Sequence, residues 1–138
     1  MTGITGLGVC GPEGQVIQED AMRIFDHVGV PTSIRQAAEM WVEETRVWVT
    51  NPAEHPHRIE YLRFEPDSPV TGSVRDLPHM AFRVDRLEPE IGEGEILLGP
   101  FRPTDELRVV FVLKDGAVFE FMEYCGSGDW FRNPSAAE

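Results

Sequence analysis

The sequence predicts one α+β domain built from two similar modules. Residues 26–30 and 78–85 are short apolar segments that each carry a histidine near their start, and His27 and His79 lie 52 positions apart. That spacing is typical of one small supersecondary repeat. Residues 65–76, which lie halfway between, contain two prolines and one glycine, a composition typical of a joint between modules. An acidic strand in a predicted hairpin follows, so we expect two modules related by a pseudo-twofold axis.

Length and composition limit the classes of protein to consider. The chain has 138 residues, 41% hydrophobic and 26% charged, typical of a single globular domain. Its net charge of −12 disfavours nucleic acids and anionic membranes, which need a basic surface. No apolar run approaches the roughly 18 residues of a membrane span, and the first residues do not resemble a secretory signal. Cys10 and Cys125 form no CxxC pair and indicate no disulfide framework, so we expect a cytoplasmic protein.

The predicted domain covers residues 22–125. Module one is expected at 22–65, a linker at 66–77 and module two at 78–125. Residues 1–21 contain scattered glycines that do not match a phosphate-binding loop, and they predict a mobile N-terminal arm or, alternatively, an edge extension that pairs with a partner subunit. Residues 126–138 are expected to form a C-terminal tail.

In module one, residues 22–30 predict a strand. Ser33 and Gln36 have the spacing of a capping box, and a stripe at helical period follows, which predicts a helix over 33–42. The stripe consists of Ile34, Ala37, Ala38, Trp41 and Val42. Strands are predicted at 45–50, from β-branched and aromatic residues, and at 58–64, where alternation places Glu60 and Leu62 on one face. In the turn between them we expect His55 and His57 to be solvated.

In module two, residues 78–85 predict a strand with one apolar and one polar face. The apolar face carries Met80, Phe82 and Val84, and the polar face carries His79, Ala81 and Arg83. Residues 87–103 contain three prolines and three glycines, so any helix there is limited to one or two turns. Residues 107–113 predict a central strand, and Lys114-Asp115-Gly116 predicts a hairpin that returns along 117–124.

The returning strand places a carboxylate on an apolar face. Glu120 alternates with Val118 and Met122, and a buried carboxylate is costly unless it is paired or binds a metal. Glu123, on the other face near the end of the strand, is expected to be solvated. His27 and His79 also lie within predicted strands, where each could be a ligand, a base or a polar residue satisfied by hydrogen bonds.

Three segments in this order resemble the vicinal oxygen chelate (glyoxalase/bleomycin-resistance/dioxygenase) superfamily. They are Asp-His-Val-Gly-Val at 26–30, Pro-His-Met-Ala-Phe-Arg-Val-Asp at 78–85 and Asp-Gly-Ala-Val-Phe-Glu-Phe-Met-Glu at 115–123. Asp67-Ser68-Pro69 resembles the methylmalonyl-CoA epimerase branch. The resemblance covers residues 22–125 and implies two βαβββ modules that form an open, barrel-like sheet of eight strands around a metal. The short second helix is a departure from the family.

The resemblance implies ligands on the first and last strands of each module. His27, His79 and Glu120 occupy three of these positions. In one register residues 59–62 form the last strand of module one and Glu60 is the fourth ligand; in the other they form its third strand, and 70–74 supply a fourth strand without a ligand. We expect Glu60 to face the cavity as ligand or base, and Glu60 and Glu120 are the candidate catalytic residues. The implied cofactor is a divalent Zn, Ni, Co, Mn or Fe ion.

The function that this set favours is that of a metal-dependent isomerase, epimerase or lyase. The metal would chelate a small oxygen-bearing substrate and stabilise an enolate. The alternatives are an Fe(II) extradiol-type dioxygenase, a metal-free drug-sequestering protein, and a purely structural role for the three residues. Members of the superfamily commonly form dimers, and Trp130-Phe131 offers an aromatic surface for a homodimer unless the pair packs back on its own sheet.

Overall fold

The computed structural model describes residues 22–92 and 94–125. The predicted arm at 1–21 and the predicted tail at 126–138, which includes Trp130 and Phe131, lie outside the described residues, so the homodimer stays a prediction that light scattering can test. Within the described ranges, no helix is long and apolar enough to cross a membrane. Cys125 is disulfide-bonded. One such bond is not a disulfide framework, and the cytoplasmic location expected from the cysteine usage stays a prediction.

Eight strands and two four-residue helices make up the regular structure of the described residues. The strands are β1 (Arg23–Pro31), β2 (Met40–Val42), β3 (Val47–Val49), β4 (Ile59–Phe64), β5 (His79–Val84), β6 (Glu95–Thr104), β7 (Leu107–Lys114) and β8 (Ala117–Tyr124). The helices are α1 (Ser73–Asp76) and α2 (Glu88–Ile91), and a 3₁₀ turn spans Pro52–Glu54.

The strands form one sheet in the order β2-β3-β4-β1-β5-β8-β7-β6. In each half the first strand pairs in parallel with the last, β1 with β4 and β5 with β8. The third and second strands then add in antiparallel fashion. The halves meet where β1 and β5 pair antiparallel. The same pairing pattern thus occurs twice, and the predicted α+β class with an open, curled sheet of eight strands is confirmed.

The helix predicted over 33–42 is absent. Ile34 is 68% exposed, and the alanines of the stripe are exposed as well. Trp41 instead lies opposite Trp48 across β2 and β3, with ring centroids 4.9 Å apart, and Glu39 pairs with Arg63 of β4. These tertiary contacts outweigh the local helical pattern, which is a weak determinant by itself.

The other element predictions fare better. The strands predicted at 22–30, 45–50, 58–64, 78–85, 107–113 and 117–124 are confirmed in position, and the four-residue α2 confirms the short second helix. β7 is not central but lies next to the sheet edge. β6 was not predicted, because its glycine and prolines conceal it; such residues are tolerated on an edge strand, and the pairing of β6 with β7 is irregular.

The two faces of the sheet carry separate clusters. The inner face, which includes Ala81 and Val109, lines a cavity. The outer face packs Val110 and Val112 beneath Leu87 at the start of α2. Met80 and Phe82 of the predicted apolar face are only partly buried, whereas His79 of the predicted polar face is 2% exposed. The face that was predicted to be polar is therefore the more deeply buried one.

Glu123 is buried rather than solvated. Its side chain is 2% exposed, and Glu123 Oε1 accepts hydrogen bonds from Arg108 Nη2 at 2.8 Å and from the Leu87 backbone N–H at 3.0 Å. α2 covers this end of β8, which periodicity alone could not show.

Candidate metal centre

The structure brings the four predicted site residues together. His27, Glu60, His79 and Glu120 are all buried, and one potential ligand atom from each lies within 4.8 Å of the others. β4 is the last strand of the first half, so the register in which Glu60 shares the site is the one that the structure has.

The distances suit ligation of a single ion. His27 Nε2 lies 3.3 Å from an oxygen of Glu60 and 3.3 Å from an oxygen of Glu120. His79 Nε2 lies 3.1 Å from Glu120 Oε1 and 3.9 Å from Glu60 Oε1. Two ligands bonded at about 2.1 Å to one ion are about 3.0 Å apart at right angles and about 3.4 Å apart in a tetrahedron. The group could therefore hold a metal ion after small side-chain movements.

The sheet register explains why the four side chains meet. Gly29 of β1 lies opposite Glu60 on one side and His79 on the other. Ala81 of β5 lies opposite His27 on one side and Glu120 on the other. Each row across the sheet thus holds a glutamate, a small residue and a histidine. A twofold rotation that superposes one half of the chain on the other would therefore superpose one row on the other, as in a pseudo-twofold arrangement.

The small residue in each row makes room for the site. A Cβ on Gly29 would lie 2.1 Å from Cε1 of His79 and 2.4 Å from its Nε2, so the ring occupies the space that a side chain would need. Ala81 is fully buried. Both residues follow their histidine by two positions. Both strands contain the same short pattern, in which a histidine is followed two positions later by a small residue. This pattern was the sequence signal that could have identified Gly29 and Ala81.

Asp26 is a further residue of the site that the sequence did not predict. β1 has a bulge between Phe25 and His27 in its pairing with β5, and such irregularities re-aim side chains. Asp26 is buried, and its Oδ2 accepts a hydrogen bond from His27 Nδ1 at 2.7 Å. That contact fixes the ring and leaves Nε2 directed at the two glutamates. The adjacent positions of Asp26 and His27 were the available signal.

Two arginines flank Asp26. Nη2 of Arg58 and Nη2 of Arg83 lie 3.7 and 3.6 Å from its Oδ1, and Arg58 Nε donates to the Asp26 carbonyl at 2.5 Å. Burial raises the pKa of Asp26, but the hydrogen bond from His27 and the charges of the two arginines outweigh it and leave the pKa lowered. Asp26 is therefore held as a carboxylate beside the ring.

Two buried ring nitrogens in the site, His27 Nε2 and His79 Nδ1, have no hydrogen-bond partner among the residues that the structure describes. The His79 ring packs edge-on against Phe111, with centroids 5.0 Å apart. Buried polar atoms are rarely left unsatisfied. A metal at the centre of the group would bond His27 Nε2, which supports the fit of the residues to a metal ion.

Without a metal ion, the electrostatics of the cluster favour an ionised Glu120 carboxylate beside a protonated His27 ring. Burial raises the pKa of Glu120, but the close approach of His27 Nε2 at 3.3 Å, the hydrogen bond from His79 Nε2 at 3.1 Å and the positive charge of the two rings outweigh it and lower the pKa to about 2. Burial lowers the pKa of His27, but the charge of Glu60 and the hydrogen bond to Asp26 raise it well above its ordinary value. A divalent cation would take the place of that proton, so metal and protons should compete for the cluster.

A cavity leads to the carboxylates. It is partly open to solvent, and Glu60 and Glu120 are its only charged lining residues among those the structure describes. The histidines lie behind them on the central strands β1 and β5. The candidate metal ligands therefore lie on strands of the sheet, at one end of an open and mostly apolar cavity.

The other two histidines lie elsewhere. His57 is exposed and His55 is half-buried against Tyr61, at 6.0 Å between ring centroids. Neither belongs to the cluster at His27 and His79. The prediction of a solvated pair therefore holds fully only for His57.

The chain matches no protein-family model, no curated protein and no solved structure.

Proposed function

We propose that the protein is a metal-dependent isomerase, epimerase or lyase of the vicinal oxygen chelate type. The observation that carries the proposal is the convergence of His27, Glu60, His79 and Glu120, one from the first and one from the last strand of each half, at the end of a cavity. A set of two imidazoles and two carboxylates suits a divalent Zn, Ni, Co, Mn or Fe ion. Such an ion stabilises negative charge on a substrate oxygen.

The four side chains have two different roles in this proposal: three are metal ligands and the fourth is a candidate general base. Glu120 lies within 3.3 Å of both histidines, so it is the carboxylate ligand best placed with the two rings. Glu60 lies 3.3 Å from His27 Nε2 but 3.9 Å from His79 Nε2. Glu60 is held less closely and lines the cavity. It is therefore our candidate to remove a proton from the substrate carbon adjacent to the carbonyl group whose oxygen would bind the metal. Asp26 is not part of the described cavity lining, and its role is to position His27.

The first experiment is metal analysis of the 138-residue protein purified without chelators, followed by titration of chelator-treated protein with Zn²⁺ and Co²⁺. We expect one ion per chain. E120Q and H79A should abolish measurable binding. E123Q is the matched control, because Glu123 is also buried on β8 but is paired with Arg108 on the outer face. Equal metal binding by E120Q and E123Q would reject the proposed centre.

The second experiment tests the base. Small α-hydroxy ketones incubated in D₂O with the metal-loaded protein should exchange their α-protons, and NMR can follow the exchange. E60Q should retain metal within about tenfold of the unaltered protein and lose exchange by a factor of about 10²–10⁴, the usual contribution of a general base. Exchange by E60Q at the unaltered rate would remove Glu60 from that role.

A metal-free binding protein is the second candidate, and the apolar wall of the cavity favours it. Metal analysis separates the two. Protein that contains no metal and gains none on titration, yet binds apolar molecules, would make the binding protein the leading function.

A further inference from the structure

The wall of the cavity differs in chemistry from its metal end. The side chains beyond the two glutamates come from both halves of the sheet and from the segment around α1. They are Val42, Thr45, Val47, Val49, Leu62, Phe64, Val70, Val74, Leu98, Phe101, Pro103, Leu107, Val109, Phe111 and Met122. Thr45 is the only one with a hydrogen-bonding side chain, and lysine and arginine are absent from this described lining.

The cavity therefore offers almost nothing to a polar or anionic group away from the metal. A phosphate or second carboxylate held there would lose its hydration without gaining a cation or several donors, at a large cost in free energy. Hydrocarbon or aromatic groups, by contrast, gain free energy in proportion to the apolar area that they bury.

Charge at the metal end points the same way. The carboxylates of Glu60 and Glu120 together neutralise a divalent ion. A neutral or singly charged chelating group then adds at most one charge to the buried site, whereas a polyanion would add charge that none of the described lining side chains balances.

We infer that the ligand of this cavity is an amphiphilic small molecule, with one neutral or monoanionic oxygen-chelating group at the glutamates and an apolar body against the wall. The chelating end of this inference rests on the proposed function, and the apolar body does not. Phosphorylated molecules and free sugars are disfavoured as occupants.

Straight-chain hydroxamates from acetohydroxamate to octanohydroxamate test the inference, because they share a two-oxygen chelating head and differ only in tail length. Displacement of Nile red gives their affinities for protein with and without Co²⁺. We expect affinity to rise about fourfold per added CH₂ until the tail leaves the cavity. Phosphonoacetohydroxamate, with an anionic group in place of the tail, should bind more weakly than acetohydroxamate.

Two adjacent residues of β7 supply matched variants. Val109 and Val110 are both fully buried, but Val109 lines the cavity and Val110 belongs to the outer cluster. V109T should reduce the gain per CH₂, and V110T should leave it unchanged. V49T, on the opposite wall, repeats the measurement if V109T does not fold.

The two failures have different signatures. A gain per CH₂ that is the same with and without Co²⁺, with no effect of Co²⁺ on acetohydroxamate, keeps the apolar ligand and rejects the metal function. Cobalt-dependent acetohydroxamate binding without a gain per CH₂, or tighter binding of phosphonoacetohydroxamate, keeps the metal and overturns the inference.

Discussion

Gly29 and His79 lie directly opposite each other in the pairing of β1 with β5, and the ring of His79 fills the space where a side chain at position 29 would project. A Cβ there would lie 2.6 Å or less from three ring atoms. The absence of a side chain on one strand therefore determines where the ring of a candidate metal ligand on the next strand can lie.

G29A should displace the His79 ring and weaken metal binding by at least tenfold. It should also destabilise the protein by about 1–3 kcal/mol, the usual effect of overpacking a buried site. Titration with Co²⁺ and urea denaturation of the metal-free protein measure the two effects separately.

G92A is the control for this change. Gly92 ends α2, its φ is −75°, and a Cβ there would meet no atom within 4 Å. The variant should match the unaltered protein in both assays. If G29A bound Co²⁺ as tightly as G92A does, the packing of His79 over Gly29 would not be important for the metal centre.

D26N should weaken metal binding by about 10–100-fold, the usual effect of removing a carboxylate that orients a ligating histidine. The fold should remain, because the amide can still accept the hydrogen bond from His27 Nδ1 through its oxygen. D67N, at an exposed aspartate paired with Arg46, is the control and should leave metal affinity unchanged. If D26N lowered the stability of the protein but left metal affinity unchanged, Asp26 would have only a structural role and the prediction would be wrong.

The site was more predictable than the elements around it, for physical reasons. Alternation within a strand fixes which side chains share a face, and it placed Glu60 with Leu62 and Glu120 with Met122; all four line the cavity. Alternation does not show which strands meet; the resemblance implied that the ligands come from the first and last strands of each module. Gly29 was overlooked because its role depends on a ring from another strand.

The errors share one cause, which is that tertiary contacts overruled local patterns. The stripe at 33–42 fits a helix, but the Trp41–Trp48 pair and the Glu39–Arg63 ion pair hold the segment against the sheet. Glu123 was expected in solvent because no local pattern reveals that α2 covers it.

R108M should destabilise the protein by about 3 kcal/mol, because it leaves the buried carboxylate of Glu123 without its cation. Methionine retains much of the apolar stem, so lost packing contributes little. The double variant R108M/E123Q should recover part of the loss in urea denaturation. Metal affinity should not change, since the pair lies on the outer face. A loss of stability no greater than that of R46M, which breaks an exposed pair, would contradict the prediction.

The ion pair between Glu39 and Arg63 should make stability depend on pH. Arg63 Nη2 lies 2.7 Å from Glu39 Oε1 and its Nε 2.9 Å from Oε2. These hydrogen bonds lower the pKa of Glu39 below its ordinary value of 4.5. The folded state therefore binds the Glu39 proton less tightly than the unfolded state does. The stabilisation is complete above pH 4.5 and is lost as the pH falls through the lower pKa of the folded protein.

E39Q tests this dependence by urea denaturation of the metal-free protein across pH 3 to 7. The variant should be less stable than the unaltered protein at pH 7, and the difference should shrink below pH 4.5 because the unaltered protein loses its charged carboxylate there. E44Q, at an exposed glutamate of the neighbouring loop, should show a smaller difference with less pH dependence. A deficit of E39Q that stayed constant down to pH 3 would mean that Glu39 stabilises the segment by packing and neutral hydrogen bonds. Its charge would then not be what holds residues 33–42 against β4.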